Sequence, residues 1–243
     1  MIRVGCVPLL IVCSIGWCAN LFAQQASPAA TQVKSWTESM SSGVKAVAEE
    51  RFADAEKSFK SAIELVKDEK DDPRLPAAIN NLGALYQRQG RYDEAAPLHR
   101  QALELREKIL GQEHPDVAQS LNNLATVYVE QRRYAEAVPL YERAISIWKK
   151  TRGDDYYKIG AALNNLATLH EAQGQYDEAK RLYDESLALW GKNRGANDLL
   201  YAQSLENYAG LLRRINDQAG AAKAQSEAKA IRTEVRKRET SSI

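Results

Sequence analysis

Pairs of adjacent asparagines recur along the chain at a spacing of 42 residues. These pairs, and a fourth position that keeps only the second member, are Asn80 and Asn81, Asn122 and Asn123, Asn164 and Asn165, and Asn207. An asparagine amide carries a hydrogen-bond donor and an acceptor on a short side chain, so it can pair with both the N–H and the C=O of an extended peptide. A stacked column of such amides predicts recognition of a peptide backbone with little dependence on the peptide's side chains.

Other polar residues share the face of the asparagines. At helical spacing from the pairs, this stripe includes Arg88, Thr126, Glu130 and Thr168. Two interpretations of the asparagines stay open. The amides either line a peptide-binding groove, or they hydrogen-bond a neighbouring helix and only fix the superhelix. Both roles can coexist, because one member of a pair can brace the scaffold while the other faces a ligand.

The sequence lacks the common patterns of catalytic and metal sites. It contains no phosphate-binding glycine-rich loop, no His-Glu-x-x-His and no Gly-x-Ser-x-Gly motif. The three histidines, His99, His114 and His170, occupy different positions of different repeats, which does not favour a metal site. The sequence therefore predicts a protein that is not an enzyme, with no catalytic residues, no metal and no cofactor.

Composition narrows the class of partner. The 243 residues include 33 Lys+Arg and 32 Asp+Glu, a formal net charge of +1. Binding of nucleic acid through a strongly basic surface is therefore not expected. With 44% hydrophobic residues, 7 prolines and 13 glycines, the chain is neither collagen-like nor a Pro/Gly-rich disordered protein. A protein or peptide partner is expected, and self-association is an alternative.

The first 23 residues have the pattern of a secretory signal. Arg3 precedes an apolar run from Val4 to Phe22, and the small residue Ala23 follows. This pattern predicts cleavage after Ala23 and export to a bacterial-type envelope, as a periplasmic or secreted protein. The alternative is an uncleaved N-terminal membrane anchor, since the run nearly reaches the length needed to span a bilayer. Contact with a membrane is expected only in that case.

Two helices in each repeat position the asparagines. In the first helix, Ile79, Leu82, Gly83 and Tyr86 follow the i, i+3, i+4, i+7 spacing of one apolar face. The second helix begins near a Tyr-Asp-Glu-Ala block at 92–95 whose counterparts lie 42 and 84 residues further on. No single hairpin buries its apolar face alone, so stability is expected to depend on stacking of the repeats.

The chain resembles a known repeat family. The segments that carry the resemblance are Leu-Gly-Gln-Glu-His-Pro-Asp-Val-Ala at 110–118, Leu-Asn-Asn-Leu-Ala at 121–125 and Tyr-Ala-Glu-Ala-Val-Pro-Leu-Tyr at 134–141. They are similar to tetratricopeptide repeats (TPR), in the 42-residue form of kinesin light chains. The resemblance implies an all-α fold, a right-handed superhelical α-solenoid of helix-turn-helix repeats. It also implies that the column of second asparagines lines a peptide groove.

The period sets the expected domain boundaries and the functional hypotheses. We expect a signal peptide at 1–23, a linker at 24–35, a degenerate first repeat at 36–72, repeats at 73–114, 115–156 and 157–198, a C-terminal repeat with capping helices at 199–238 and a disordered tail at 239–243. The leading hypothesis is an exported, non-enzymatic scaffold that binds an extended peptide or partner segment in its concave groove. The alternative is structural: self-assembly, or membership of an envelope complex, through the repeat ends or the outer face.

Overall fold

The computed structural model describes residues 28–151, 156–192, 195 and 198–240, so the predicted signal peptide lies outside the described residues. Within these ranges every regular element is an α-helix. The ten helices are α1 (Pro28–Ala48), α2 (Phe52–Val66), α3 (Arg74–Arg88), α4 (Tyr92–Leu110), α5 (Pro115–Glu130), α6 (Tyr134–Lys150), α7 (Tyr156–Ala172), α8 (Tyr176–Lys192), α9 (Asp198–Arg214) and α10 (Gln218–Thr240).

Two expected boundaries differ from the structure. Helix α1 begins at Pro28, inside the segment 24–35 that was expected to be a linker. The Gln32 side chain donates a hydrogen bond to the carbonyl oxygen of Leu65 in α2, which anchors the first turns of α1. Helix α10 continues to Thr240, two residues beyond the expected end of the last repeat at 238, and Arg238 in its last turn contacts Asp198 at 3.1 Å.

Consecutive helices pair into five hairpins, and each hairpin turn contains one residue with a positive φ. These residues are Glu50, Gly90, Arg132, Gly174 and Asn216. The backbone N–H of the residue after the positive φ donates a hydrogen bond to a carbonyl in the first helix. In the third hairpin, for example, the Arg133 N–H donates to the Tyr128 carbonyl at 2.8 Å. This six-residue return is the Schellman arrangement that ends many helices. It sets the short antiparallel connection within every hairpin.

Small and large side chains alternate in the core. Fully or nearly fully buried alanines stand at one shared position of every second helix, namely Ala55, Ala95, Ala137, Ala179 and Ala221. They let the two helices of a hairpin approach closely. Larger side chains such as Trp148 and Trp190 fill the space between one hairpin and the next. The apolar faces are thus pooled along the stack, as expected for a solenoid.

The stack is curved, with the first helices on its inner side. From the second hairpin on, the first helices of successive hairpins touch one another: α3 touches α5, α5 touches α7 and α7 touches α9. In the described part of the chain, the second helices of successive hairpins make no comparable contact. First helices therefore lie closer together than second helices, and their free faces form the concave surface.

Both ends of the stack are polar at positions that are apolar inside it. On α1, Ser39 and Ser42 stand where α3, α5 and α7 carry isoleucine or leucine. On α10, Gln225, Lys229 and Arg232 stand where α8 carries Tyr183, Leu187 and Trp190. Interior positions of this kind are buried against the next hairpin, whereas these terminal positions face water. The end faces thus carry the polar residues that keep a repeat array soluble.

Candidate functional site

The concave surface forms a groove, which we define by two columns of residues on α3, α5, α7 and α9. The ladder column consists of Asn81, Asn123, Asn165 and Asn207, and the floor column consists of Ala84, Thr126, Thr168 and Gly210. Each ladder asparagine is half-buried. The floor is made of small residues, of which Ala84 and Thr168 are exposed.

In two of the three pairs, the first asparagine hydrogen-bonds the following hairpin. Asn80 is only 8% exposed. Its Oδ1 accepts a hydrogen bond from Nδ2 of Asn123 at 3.0 Å. Two hairpins later, Nδ2 of Asn207 donates to Oδ1 of Asn164 at 3.2 Å. These amides brace successive hairpins, which is one of the two roles left open by the sequence; Asn122 is half-buried at the equivalent position.

Bracing does not use all the hydrogen-bonding capacity of the ladder. Oδ1 of Asn123 accepts from Gln119 at 2.9 Å, and Oδ1 of Asn207 accepts from Gln203 at 3.1 Å. An amide has two N–H donors and two acceptor lone pairs. Together with the bracing bond, one donor and one lone pair are engaged on each of these asparagines. One of each is left, so the same side chain can brace the stack and contact a ligand.

The threonines of the floor are tied to the second helix of their own hairpin. Thr126 Oγ1 donates to the Asn122 carbonyl at 2.9 Å and contacts the Tyr141 hydroxyl at 2.9 Å. Thr168 and Tyr183 repeat the contact at 2.9 Å. Burial raises the pKa of Tyr141 to about 12 and raises that of Tyr183 as well, so both hydroxyls stay protonated. The Asn165 side chain lies close enough to the Tyr141 hydroxyl to lower its pKa slightly against the effect of burial, so the floor and the ladder are neighbours here.

The second hairpin replaces this tyrosine–threonine pair with a histidine and an alanine. His99 stands in the position of Tyr141, and Ala84 in that of Thr126. The fully buried His99 lies with its Nδ1 3.2 Å from Oδ1 of Asn80. Burial, reinforced by the positive charge of Arg106, lowers the pKa of His99 to about 4. The neutral ring donates from Nδ1, so a chain of bonds runs from the core through Asn80 to the ladder.

Charged residues of both signs flank the ladder. Arg88 is 3.8 Å from Glu50, and its guanidinium lies over the Phe52 ring at 5.8 Å. Exposed Glu130 accepts a hydrogen bond from the Tyr92 hydroxyl at 3.3 Å. At the far end, Arg214 pairs with Glu171 at 3.1 Å. The rim is therefore mixed in charge, and it favours neither a strongly acidic nor a strongly basic ligand.

The described residues contain neither a cluster of metal ligands nor a membrane-spanning helix. In residues 28–240, apart from the short gaps, no three side chains of His, Cys, Asp and Glu come together as ligands for a metal ion. Over the same ranges, the structure contains no helix with the length and apolar character required to cross a membrane. Sequence reasoning left the bracing role of the asparagines open, and it missed the contact between His99 and Asn80. The joint replacement of Tyr by His and of Thr by Ala was the one sequence signal for this contact.

A family model for the tetratricopeptide repeat matches residues 74–150 and 158–234, which together make up more than half of the chain. The chain belongs to the tetratricopeptide repeat family. The two matched segments begin and end close to the limits of α3–α6 and α7–α10. The hairpin of α1 and α2 lies outside the match, in the part of the chain expected to hold a degenerate repeat.

Solved structures of other proteins share the fold. BtubC (BKLC) from P. vanneervenii is 25% identical, with a TM-score of 0.72 over 80% of this chain and 78% of that one. A kinesin light chain of Podosopora anserina with nearly identical TPR-like repeats is 22% identical, with a TM-score of 0.68 over 82% and 95%. MamA (41-end) from Desulfovibrio magneticus RS-1 is 14% identical, with a TM-score of 0.59 over 82% and 96%. The kinesin-light-chain likeness agrees with the 42-residue period.

Proposed function

We propose that this TPR protein is an exported, non-enzymatic scaffold that binds an extended segment of a protein partner in its groove. TPR proteins commonly mediate protein–protein interaction. The observation that supports the proposal is the ladder itself: Asn123 and Asn207 brace the stack, and each keeps one amide N–H and one lone pair that these bonds do not use.

The energetics require several contacts at once. One hydrogen bond contributes about 1 kcal/mol net, and a micromolar affinity corresponds to about 8 kcal/mol. Four ladder amides alone fall short of this value. A bound segment must also bury apolar side chains against the small residues of the floor, such as Ala84 and Gly210. An extended segment long enough to span several repeats meets both requirements.

The test fills the groove without touching the bracing bonds. Ala84 is exposed, and a Cβ built at Gly210 meets no atom within 4 Å, so Ala84→Trp with Gly210→Trp projects two large rings into the groove. The matched control, Ala135→Trp with Ala222→Trp, places the same rings at exposed positions of second helices. Peptides selected from a random display library on the wild-type protein are the probe, with fluorescence polarisation as the readout.

Groove binding predicts that the filled variant loses at least about tenfold in peptide affinity, while the control binds like the wild type. Circular dichroism confirms that both variants stay helical. Equal affinity of the filled variant and the wild type would refute the groove as the binding surface. Loss in the control alone would place the peptide on the outer face instead.

The structural alternative, assembly through the repeat ends, has less support. Ser39 and Ser42 at one end, and Lys229 and Arg232 at the other, replace the apolar side chains that stacking hairpins bury. Light scattering at several concentrations separates the two hypotheses, because self-assembly predicts a mass that rises with concentration. Export is part of the proposal through residues 1–23, and N-terminal sequencing of the mature protein tests cleavage after Ala23.

A further inference from the structure

The C-terminal end face carries more positive charge than is needed to end the stack with a polar surface. We define this face by Lys229, Arg232 and Arg236 of α10, which lie on one side of the helix at positions i, i+3 and i+7. With Glu206 of α9 they line a cleft of about 410 Å³. From this arrangement we infer that the C-terminal end face is a second interaction surface, which binds an acidic segment of a protein partner.

The carboxylate on this face, that of Glu206, is already paired with an arginine. Glu206 accepts two hydrogen bonds from Arg232, at 2.7 and 2.8 Å, in a bidentate pair. Lys229 and Arg236 are exposed on either side of this pair. Within the described residues, neither of them lies within 4 Å of an acidic side chain. Two cations thus flank the cleft and are available to a ligand.

Capping alone does not explain these charges. The opposite end of the stack meets the same need for a polar surface, and there the apolar positions are replaced by serines, including Ser35, Ser39, Ser42 and Ser58. The charged side chains that also line that end, Glu38, Asp54 and Lys57, are of both signs, so a net positive surface is not needed to end this array. At the C-terminal end, lysine and arginine replace the apolar residues, and their positive charge creates an electrostatic potential that attracts anions.

The chemistry of the cleft favours an acidic peptide over other anionic partners. Its lining residues, Glu206, Gln225, Lys229, Arg232, Thr233 and Arg236, include no aromatic or aliphatic side chain of the kind that a membrane-surface helix inserts. The nearly balanced charge of the whole chain, +1, does not favour the polyanionic backbone of a nucleic acid. Carboxylates of an acidic segment can pair singly with Lys229 and in a bidentate manner with Arg236.

The experiment uses a fluorescein-labelled oligoglutamate peptide, with oligoglutamine of the same length as its neutral counterpart. Fluorescence polarisation measures the affinity of the full-length protein for each peptide. Lys229→Ser with Arg236→Ser removes the two cations. Lys192→Ser with Lys223→Ser is the matched control, because it removes the same charge from exposed positions elsewhere. The groove-filled variant, Ala84→Trp with Gly210→Trp, separates this surface from the groove.

The inference predicts that oligoglutamate binds, that added salt weakens its binding, and that Lys229→Ser/Arg236→Ser lowers its affinity about tenfold. The control variant and the groove-filled variant bind it like the wild type. The inference is overturned if oligoglutamate fails to bind, if oligoglutamine binds equally well, or if the two-cation variant is unaffected. It is also overturned if anionic phospholipid vesicles or a single-stranded DNA oligonucleotide bind to this face more tightly than the peptide.

Discussion

A single carbonyl oxygen, Oδ1 of Asn80, joins the buried core of this protein to its groove. It accepts hydrogen bonds from His99 in the core and from Asn123 on the ladder, at 3.2 and 3.0 Å. Asn123 in turn accepts from Gln119. Of the two roles that the sequence left open for these asparagines, the structure shows the bracing one, since Asn80 and Asn123 hold two hairpins together.

The first prediction concerns this bracing bond. Asn123→Ala removes the bond to the buried Oδ1 of Asn80 and should lower the free energy of unfolding by about 1 kcal/mol. Urea unfolding measures the loss, with Asn81→Ala, at the same ladder position one hairpin earlier, as the control. Equal losses in the two variants would contradict a specific bracing role for Asn123.

The second prediction concerns the stability of the protein at acidic pH. The pKa of His99 is about 4 in the folded protein, against an ordinary value of 6.5, so the unfolded chain binds more protons between these values. The free energy of unfolding therefore has its full value above pH 6.5, and it falls by up to about 3 kcal/mol as the pH drops toward 4. Urea unfolding at pH 7 and pH 4.5 measures this loss. His99→Tyr with Ala84→Thr rebuilds the tyrosine–threonine pair of the next hairpin, and this variant should lose much less stability between pH 7 and pH 4.5. If its stability depended on pH as strongly as that of the wild type, His99 would not be the cause.

At the scale of elements, the helices were predictable and their contacts were not. The 3.6-residue periodicity of Ile79, Leu82, Gly83 and Tyr86 and the 42-residue recurrence of two sequence blocks located the hairpins. The additional turns of α1 could not be predicted, because they depend on the bond between Gln32 and the Leu65 carbonyl across the hairpin. The partners of the asparagines likewise depend on how one hairpin sits against the next, which periodicity does not specify.

The third prediction addresses the hairpin turns. Arg132 adopts a φ of 59°, the left-handed region that costs a residue with a Cβ about 1–2 kcal/mol, whereas Gly90 and Gly174 occupy equivalent turns without that strain. Arg132 is exposed, so Arg132→Gly should raise the free energy of unfolding by about 0.5–1 kcal/mol after the extra freedom of glycine in the unfolded chain is counted. Thermal unfolding checks the gain. Gly90→Arg is the reverse change and should lower the free energy of unfolding. If both variants changed the free energy of unfolding in the same direction, backbone strain would not be the reason.

At the scale of the whole molecule, the array is polar at both ends and lined with amides along its inner side. The positions of Ser39 and Ser42 hold buried apolar residues in the interior hairpins, for example Leu163 and Leu166 of α7. Sequence reasoning predicted that terminal repeats would be atypical. It did not show that the N-terminal face uses hydroxyls and the C-terminal face cations, because the structure is needed to place these residues on the end faces.

The fourth prediction follows from the serines. Ser39→Leu with Ser42→Leu restores two apolar side chains to the N-terminal face and should make the protein associate as its concentration rises, since an exposed apolar face of this kind promotes association. Sedimentation velocity measures the change in mass. Thr37→Leu with Ser41→Leu, on the neighbouring face of α1, is the control for added hydrophobicity. A monomer at all concentrations for the Ser39 and Ser42 variant would contradict the capping role.

The claim that the ladder holds a peptide backbone is tested most directly by NMR of the asparagine side chains. In a ¹H–¹⁵N spectrum, each side-chain amide gives its own pair of signals, and single substitutions assign those of Asn81, Asn123, Asn165 and Asn207. A peptide selected on the protein is then titrated in. Our account predicts that the four ladder amides shift together and saturably, while outer-face amides stay in place. Saturable binding with no shift of the ladder amides would contradict it.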